Sequence, residues 1–294
     1  MKVLAPATTA NLGPGFDLLG ASLDMENEIW AEFADSYFLQ EEGYSEGTEL
    51  DDHLVCKVMR SFLMEQGISR PFALKAKNRI PFARGLGSSS AAIVGGLVLA
   101  NALAGSPLDA AELLRRAVEI EGHPDNVAPA LLGGVVLAAK DTYISLPAPQ
   151  VSAFVLIPDF KVSTEKARRI LPQTYSREVA VRNSSRLSQL VIALERGDSE
   201  LFLQALDDEI HQPFRGQLIP GYDALSAQAV KLGGRIVISG SGPTLLYLTA
   251  ESPDTAKKAA SDLSETWKEQ FAVENAVVQV KLGAKGARIL EAED

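Results

Sequence analysis

The feature that most constrains this chain is a glycine- and serine-rich tract that runs directly into a long apolar segment. The tract reads Pro-Phe-Ala-Arg-Gly-Leu-Gly-Ser-Ser-Ser-Ala-Ala over residues 81–92, and the apolar segment continues to Leu103. Glycines let the backbone turn tightly, and serines cap helix starts. The pattern predicts a turn into a helix whose first-turn amides and positive dipole end face a ligand. Such a helix start binds phosphate without a lysine.

A plainer interpretation is that the tract only caps a core helix, as a single Gly-X-Gly usually does. Three consecutive serines, with nothing bulky before Ile93, are more than a cap requires. Gly95 and Gly96 lie inside the predicted helix, where each costs about 1 kcal/mol relative to alanine. We therefore expect another element to pack closely against the backbone of this helix, which would make it a rigid phosphate holder.

Two common nucleotide-binding signatures are excluded. The chain contains no GxxxxGK[ST] sequence, so it lacks the usual P-loop signature. The segment Gly13-Pro14-Gly15 resembles the start of a dinucleotide fingerprint, but Pro6 and Pro14 fit badly with a strand that leads straight into a helix. A Rossmann domain is therefore not expected.

Charge and cysteine content narrow the function classes. The 28 Lys and Arg against 38 Asp and Glu give a net charge of −10, which does not favour binding to nucleic acid or to an anionic membrane. One cysteine and three histidines are too few for a disulfide framework or a Cys/His zinc site. The first fifteen residues lack a signal-peptide core, and the longest apolar run, residues 91–100, is shorter than the ~18 residues of a membrane span. We expect a cytoplasmic protein.

The order of periodic segments predicts an α+β protein with two domains and a boundary near Pro158. Strand-like pieces in the first half alternate with helical ones, and they cover residues 29–33, 72–77, 135–139 and 151–157. The second half predicts helices at 184–195, 201–210, 222–232 and 253–271, a hairpin-like pair at 235–239 and 244–249, and a strand at 276–282.

Four segments together resemble the GHMP kinases, the superfamily of galactokinase, homoserine kinase, mevalonate kinase and phosphomevalonate kinase. The tract at 81–92 resembles the second signature of that superfamily, and Ser-Gly-Ser-Gly-Pro-Thr at 239–244 resembles the third. Ala-Thr-Thr-Ala-Asn-Leu-Gly-Pro-Gly-Phe-Asp at 7–17 and Glu-Gly-His-Pro-Asp-Asn-Val-Ala-Pro at 121–129 are similar to homoserine kinases in particular. The resemblance spans nearly the whole chain.

This resemblance implies a two-domain GHMP kinase fold. Residues 1–157 would form a ribosomal protein S5 domain 2-like domain. This domain would carry the tract at 81–92, which is called the phosphate loop below. Residues 158–294 would form a ferredoxin-like α/β-plait domain that carries the substrate arginines and the third glycine-rich motif, whose turn would close on the phosphate loop. From composition alone, that turn is equally well a simple hairpin.

The resemblance also implies a reaction: ATP-dependent phosphorylation of the side-chain hydroxyl of L-homoserine to O-phospho-L-homoserine, in threonine biosynthesis, by a homodimer that uses Mg²⁺. Residues 53–55 either approach the nucleotide base or belong to the core. The residues that the resemblance assigns to ATP are Pro81, Arg84, Gly85, Leu86, Gly87, Ser88, Ser89, Ser90 and Ala91.

The implied magnesium ligands are Ser89 and Glu121. Glu121 shares a helical face with Leu114, Ala117 and Val118, where an unpaired carboxylate is costly to bury. Mg²⁺ would be a suitable partner, because it prefers carboxylate, hydroxyl, water and phosphate oxygens. A nearby arginine or lysine is the alternative partner.

The resemblance assigns Asn11, Asp17, His123 and Asn126 to the amino acid substrate. Asp17 would bind its ammonium group, Asn11 and Asn126 would orient polar groups, and His123 would line the pocket. From residue type alone, Asp17 is equally well a turn carboxylate and His123 a structural histidine. Asn126 would orient the acceptor hydroxyl with no general base, because an amide cannot accept the proton; Asp125 is the fallback base.

The substrate carboxylate requires a cation, and arginine suits bidentate recognition. Arg186, beside a packed helical stripe, and Arg215, in a segment that resembles the family's carboxylate-binding arginine, are the candidates; Arg235 is weaker. Each is equally well a surface arginine.

Two other functions stay open. One is a GHMP kinase for a sugar or a mevalonate-type alcohol, which would have little use for Asp17. The other is a nucleotide-binding regulatory protein without transfer activity.

Overall fold

The computed structural model describes residues 1–45, 47–139 and 142–290, which form two β-sheets with helices packed on them. The strands are β1 (Lys2–Ala10), β2 (Leu19–Phe33), β3 (Phe38–Gly43), β4 (Phe72–Asn78), β5 (Val135–Ala139), β6 (Thr142–Leu146), β7 (Ser152–Pro158), β8 (Gly234–Ile238), β9 (Leu245–Thr249), β10 (Asn275–Val280) and β11 (Arg288–Leu290). The helices are α1 (Leu54–Glu65), α2 (Ser88–Leu103), α3 (Ala110–Glu121), α4 (Pro124–Leu132), α5 (Thr164–Arg169), α6 (Arg177–Arg196), α7 (Ser199–Gln204), α8 (Gln212–Arg215), α9 (Tyr222–Lys231) and α10 (Pro253–Phe271).

The first sheet has seven strands. Five of them follow the order β11-β1-β2-β4-β3; of the other two, β5 pairs with β2, and β6 pairs with β5. β3 and β4 run parallel, whereas β2 runs antiparallel to both of its neighbours, β1 and β4. Alternation along β4 separates the two faces, because Phe72 and Leu74 are buried whereas Lys75 and Lys77 are exposed. The buried face of the sheet packs against α2 and α4.

Helix α2 lies between the first sheet and α1, and its two glycines are where these neighbours approach. A Cβ on Gly95 would lie 2.7 Å from Ile29 Cδ1 in β2, and a Cβ on Gly96 would lie 3.1 Å from Val58 Cγ1 in α1. The prediction that elements pack closely against this helix is confirmed. The helix start that forms the phosphate loop is therefore anchored on two sides.

The second sheet has four antiparallel strands in the order β10-β7-β9-β8, and β8 and β9 form the predicted hairpin-like pair. With α9 before β8 and α10 between β9 and β10, this is the ferredoxin-like arrangement that the resemblance implies. Leu263 and Trp267 of α10 pack on one face of this sheet, while Val155 and Leu246 on the other face join the core of the first domain. The two sheets therefore share one core cluster, and a second cluster lies between the second sheet and α10.

Several boundaries differ from the sequence predictions. β7 pairs in the second sheet, so the change of sheet precedes this strand and the predicted division after residue 157 cuts it off from its partners. β11 returns to pair with β1, and residues 291–294 lie outside the described residues. We propose a domain division between β6 and β7. Hydrophobic patterning shows that β7 is a buried strand but not which sheet it joins.

Two smaller differences have local causes. Pro6 lies within β1, at the register irregularity between Pro6 and Thr8, where a strand tolerates a proline. The helix predicted for 201–210 ends at Gln204, because Asp208 accepts the main-chain N–H groups of Ile210, His211 and Gln212 and starts a new turn. No helix in the described part of the chain is long and apolar enough to cross a membrane.

We expect the substitution Gly95→Val to destabilise the fold by about 1–3 kcal/mol, because the added side chain overpacks the contact with Ile29. The measurement is the midpoint of urea denaturation. The exposed helical Ala180→Val is the matched control and is expected to cost about 0.5 kcal/mol, the propensity of a β-branched residue. Equal effects at both positions would contradict the close packing of α2.

Candidate active site

A cavity of about 520 Å³ opens between the start of α2, the loop after β1, the start of α4 and α5. It gathers residues that are distant in the sequence. The predicted site residues that line it are Asn11, Asp17, Arg84, Gly85, Leu86, Gly87, Ser88, Ser89, Glu121, His123, Asn126 and Arg215. The predicted site residues that do not line it are Pro81, Ser90, Ala91 and Arg186.

The start of α2 forms an open anion site. Gly87 caps the helix in the left-handed region, with φ of 64°, and no side chain caps the first turn. A Cβ on Gly87 would lie 1.9 Å from Thr8 Oγ1, so a larger residue would not fit. The hydroxyl of Ser88 is buried without a hydrogen-bond partner. This arrangement leaves the first-turn amides for a ligand such as a phosphate group.

The third glycine-rich motif closes on this loop, as the resemblance implies. The Ser239 hydroxyl donates to the Gly85 carbonyl at 2.7 Å, and the Thr244 N–H donates to the Arg84 carbonyl at 3.2 Å. The Gly240 N–H donates to the Ala10 carbonyl at 3.0 Å, which ties the same turn to the end of β1. The turn is therefore more than a simple hairpin.

Arg84 lines the cavity, but its guanidinium donates to protein carbonyls. Its three nitrogens donate to the main-chain oxygens of Phe82 at 3.3 Å, Pro158 at 2.8 Å and Asp159 at 2.6 Å. Arg84 thereby holds the phosphate loop to the end of β7. Its predicted contact with ATP stays a prediction.

Glu121 ends α3 beside the phosphate loop and pairs with serines. The hydroxyls of Ser89 and Ser90 both donate to Glu121 Oε1, at 2.8 and 2.9 Å. The alternative partner, a nearby arginine or lysine, is not observed among the described residues: Arg115 pairs with Glu112 and Glu119, and Arg116 pairs with Glu65 and Glu112. Ser90 is fully buried and lies behind the cavity wall, where it supports Glu121.

The start of α4 brings three polar side chains to the cavity. The Thr8 hydroxyl donates to Asn126 Oδ1 at 2.7 Å, which leaves the amide nitrogen of Asn126 for a ligand. Asp125 is only 1% exposed, and its Oδ1 lies 3.1 Å from His123 Nδ1. The Asp125 carboxylate raises the pKa of His123 against the opposing effect of burial.

The loop after β1 holds Asp17 in an unusual conformation. Asn11 and Asp17 have φ of 57° and 54°, a region that asparagine and aspartate tolerate better than most residues. The Asn11 amide donates to the Gly240 carbonyl at 3.1 Å, and Asn11 Oδ1 accepts the Asp17 N–H at 2.9 Å. The side chain of Asn11 therefore shapes this loop. A direct contact between Asn11 and a substrate stays a prediction.

Arg215 is a buried cation without an acidic partner. It is 2% exposed and donates only to main-chain carbonyls, of Ala167 at 3.2 Å and Gly240 at 2.9 Å. No carboxylate of the described residues lies within ion-pair distance of it. Burial, together with the nearby Arg168 cation, lowers the pKa of Arg215 to about 10, so it stays charged at neutral pH.

Arg186, the other arginine that the sequence suggested for the substrate carboxylate, does not line the cavity, and its predicted role stays a prediction. Its Nη1 donates to Glu209 Oε1 at 2.7 Å, and Arg182, one turn earlier on α6, donates to the same carboxylate. Besides Arg84 and Arg215, the cavity is lined by Arg168 on α5. Sequence reasoning missed it because it sits in a strongly charged segment that is typical of a solvated helix. Its position shortly after β7, beside the phosphate loop, was the only available signal.

The opposite end of the cavity contains a second polar group, of which the sequence indicated only His53. Glu41 Oε1 accepts the Asn78 amide at 2.9 Å and lies 3.2 Å from His53 Nε2. Glu41 and Asn78 come from β3 and β4, whose parallel pairing the sequence did not predict. His53 and Val55 line this end, and Val55 also belongs to the core. An approach of these residues to a nucleotide base stays a prediction.

Comparison with known proteins identifies the family. Residues 53–134 match the model of the GHMP kinases N terminal domain, and residues 190–269 match GHMP kinases C terminal. A homoserine kinase from Synechococcus sp. is 44% identical over 91% of this chain and 90% of its own length. A homoserine kinase from Carboxydothermus hydrogenoformans is 43% identical over 97% of this chain and 95% of its own length. The chain belongs to the homoserine kinases.

Solved structures agree with this family assignment. The crystal structure of homoserine kinase from Cytophaga hutchinsonii superposes on this protein with a TM-score of 0.90. The superposition covers 99% of this chain and 97% of the other chain, and the two sequences are 30% identical. A mevalonate kinase structure has a TM-score of 0.74 at 13% identity, over 97% of this chain and 100% of its own, which shows a common fold. The expected GHMP kinase fold is therefore confirmed for this homoserine kinase family member.

We expect Asp125→Asn to lower the pKa of His123, because the substitution removes the carboxylate that favours the imidazolium while burial still disfavours it. The measurement is an NMR titration of the histidine ring protons. The unmodified protein, titrated under the same conditions, is the control. An unchanged titration of His123 would show that Asp125 is not its electrostatic partner.

Proposed function

We propose that this protein transfers the γ-phosphoryl group of ATP to the side-chain hydroxyl of L-homoserine, giving O-phospho-L-homoserine for threonine biosynthesis. The observation that carries this proposal is the buried, unpaired Arg215 in the same cavity as the open start of α2. A buried cation without an anionic partner is strongly unfavourable, so a ligand anion is expected beside Arg215. The homoserine kinases among the curated relatives support the substrate.

The charges at this end of the cavity fit an amino acid. Arg168 and Arg215 would bind the substrate carboxylate, for which paired guanidinium groups are well suited. Asp17, which lines the same end, would bind the ammonium group. His123 would form part of the wall, and the substrate side chain would extend past Asn126 towards α2. Arg168 takes the role that the sequence assigned to Arg186.

The phosphate groups would be bound mainly by main-chain amides of residues 85–90. No lysine is among the described residues that line the cavity, and Arg84 is engaged with carbonyls. A helix start supplies only about half a positive charge, which is small against a triphosphate. A further cation is therefore required at this end of the site.

We propose Mg²⁺ as that cation, held by Ser89 and Glu121. Their oxygens lie 2.8 Å apart, and one hydroxyl with one carboxylate suits a small, hard cation that keeps water and phosphate ligands. The described residues contain no cluster of three or more His, Cys, Asp or Glu side chains, which does not favour a softer or fully protein-bound metal. When bound, the ion would neutralise phosphate charge.

Asn126 is the proposed orienting residue for the acceptor hydroxyl. Thr8 occupies its carbonyl oxygen, so the amide nitrogen is left to donate a hydrogen bond to the hydroxyl oxygen. Phosphoryl transfer depends mainly on positioning and charge neutralisation, so a dedicated base is not needed. Asp125 remains the fallback base, since it lines the cavity, where its Oδ1 lies 3.1 Å from His123 Nδ1.

The alternative functions fit the site less well. Mevalonate carries a carboxylate but no ammonium group, so Asp17 would be left without a role, and a sugar would leave Arg215 unpaired. A regulatory protein without transfer activity would have no need for Ser89, Glu121 and Asn126 beside the phosphate loop. We also propose a homodimer in the cytoplasm, on the family resemblance alone.

A coupled assay of ADP release tests the proposed function. We expect turnover with L-homoserine and ATP, no turnover above background with mevalonate or galactose, and loss of turnover when Mg²⁺ is removed by a chelator. Restoring Mg²⁺ is the control and should restore the rate. No homoserine-dependent ADP release would contradict the substrate, and full activity in the chelator would contradict the metal.

We expect Asn126→Ala to lower kcat about 10²-fold while the KM for ATP stays near its original value, because the amide orients the acceptor and does not touch the nucleotide. Steady-state kinetics and nucleotide binding by calorimetry are the measurements. Asp125→Asn is the companion variant. If it abolished turnover while Asn126→Ala had no effect, Asp125 would be the base and the orienting role would be wrong.

A further inference from the structure

The ion pair between Asp17 and Arg168 occupies the place where the charges of the proposed substrate would bind. The guanidinium donates to both carboxylate oxygens, from Nη2 to Oδ1 at 3.0 Å and from Nη1 to Oδ2 at 3.1 Å. Both side chains line the cavity, and they are 37% and 41% exposed. Each group is therefore accessible to a ligand but already has a partner.

The two residues come from different parts of the fold. Asp17 is held by the loop after β1, through its N–H to Asn11 Oδ1, whereas Arg168 is on the short helix α5 of the second domain. Arg168 and Arg215 both lie over the ring of Phe16, at 6.0 and 5.1 Å from its centre. Two other acids are near: Asp125 lies against His123, and Asp208 accepts main-chain N–H groups at the start of α8. Asp17 is therefore the one carboxylate paired with either guanidinium group among the described residues.

We propose that the Asp17–Arg168 pair is a clasp that a zwitterionic amino acid opens by exchange of partners. The ligand ammonium replaces Arg168 at Asp17, and the ligand carboxylate replaces Asp17 at Arg168 and also pairs with Arg215. This inference rests on the proposed function. No covalent bond is made or broken in the exchange. The number of charged groups with a partner of opposite charge rises, because Arg215 gains one.

The clasp makes recognition of the two ligand charges interdependent. A ligand with both charges compensates both residues that it separates. A ligand with one charge separates the pair but leaves one residue without a partner, so it binds poorly. The closed pair thus selects amino acids over simple hydroxy acids and amino alcohols, in addition to the direct contacts that each residue makes.

Two analogues of homoserine with a single charge test this proposal: 4-hydroxybutyrate, which lacks the ammonium, and 3-aminopropan-1-ol, which lacks the carboxylate. Binding is measured by calorimetry on the full chain without nucleotide. An exposed ion pair is worth up to about 1 kcal/mol, or about fivefold in affinity. We expect Asp17→Asn to bind 4-hydroxybutyrate about three- to fivefold more tightly than the unmodified protein, and Arg168→Gln to bind 3-aminopropan-1-ol more tightly by a similar factor. Both variants should bind homoserine at least tenfold more weakly.

The double variant separates the clasp from simple charge repulsion. If Asp17 only repels the carboxylate of 4-hydroxybutyrate, Asp17→Asn improves its binding whether or not Arg168 is present. If the clasp exists, the improvement disappears in the Arg168→Gln background. Glu165→Gln is the matched control, because it removes the Glu165–Arg169 pair on the same helix outside the cavity and should change neither affinity.

The outcomes are distinguishable from failure of the proposed function. Homoserine turnover without any gain for the single-charge ligands would overturn the clasp alone, as would equal gains in both backgrounds or no binding of either compound to either single variant. Absence of homoserine-dependent ADP release would overturn the proposed function. If a variant does not fold, as judged by its thermal melting, Asp17→Ser and Arg168→Met replace it in the same cycle.

Discussion

The main-chain carbonyl of Gly240 joins the parts of the site that come from different domains. It accepts the Asn11 amide at 3.1 Å and the Arg215 guanidinium at 2.9 Å, while the N–H of the same residue donates to Ala10. Ser239 of the same turn donates to the Gly85 carbonyl of the phosphate loop. This one turn thus fixes the loop that carries Asp17, the buried Arg215 and the start of α2 relative to one another. The geometry of the cavity depends on this turn more than on any single ligand-facing side chain.

The electrostatics of the cavity differ between its two ends. At one end two arginines face one exposed carboxylate, and at the other an uncapped helix start offers amides beside a single glutamate. The first arrangement suits a small ligand with its own fixed charges. The second suits an extended anion whose charge is spread over several oxygens. The two ends therefore do not compete for the same ligand, which is a requirement for a two-substrate transfer.

The sequence predicted those parts of the site whose signals are local. The phosphate loop follows from glycine and serine chemistry over twelve residues, and Glu121 follows from the apolar face of its own helix. It failed where a role depends on tertiary pairing. Arg186 and Arg168 are both arginines on charged helices, and only the fold shows that one meets Glu209 and the other meets Asp17. Glu41 was missed for the same reason, because a parallel strand pair brings it to the cavity.

The packing of Arg215 and of α2 has a consequence for how the proposed substrate would be selected. Arg215 is buried and bonded to two carbonyls, and α2 is packed between the sheet and α1, so the surrounding structure holds both of them in place. Asn126 lies between them, with its orientation set by Thr8. A ligand anchored by its charges must therefore reach Asn126 with its own hydroxyl. In the proposed function, the distance between Arg215 and Asn126 would then select the length of the chain between the charged groups and that hydroxyl, and positioning would be the main source of acceleration.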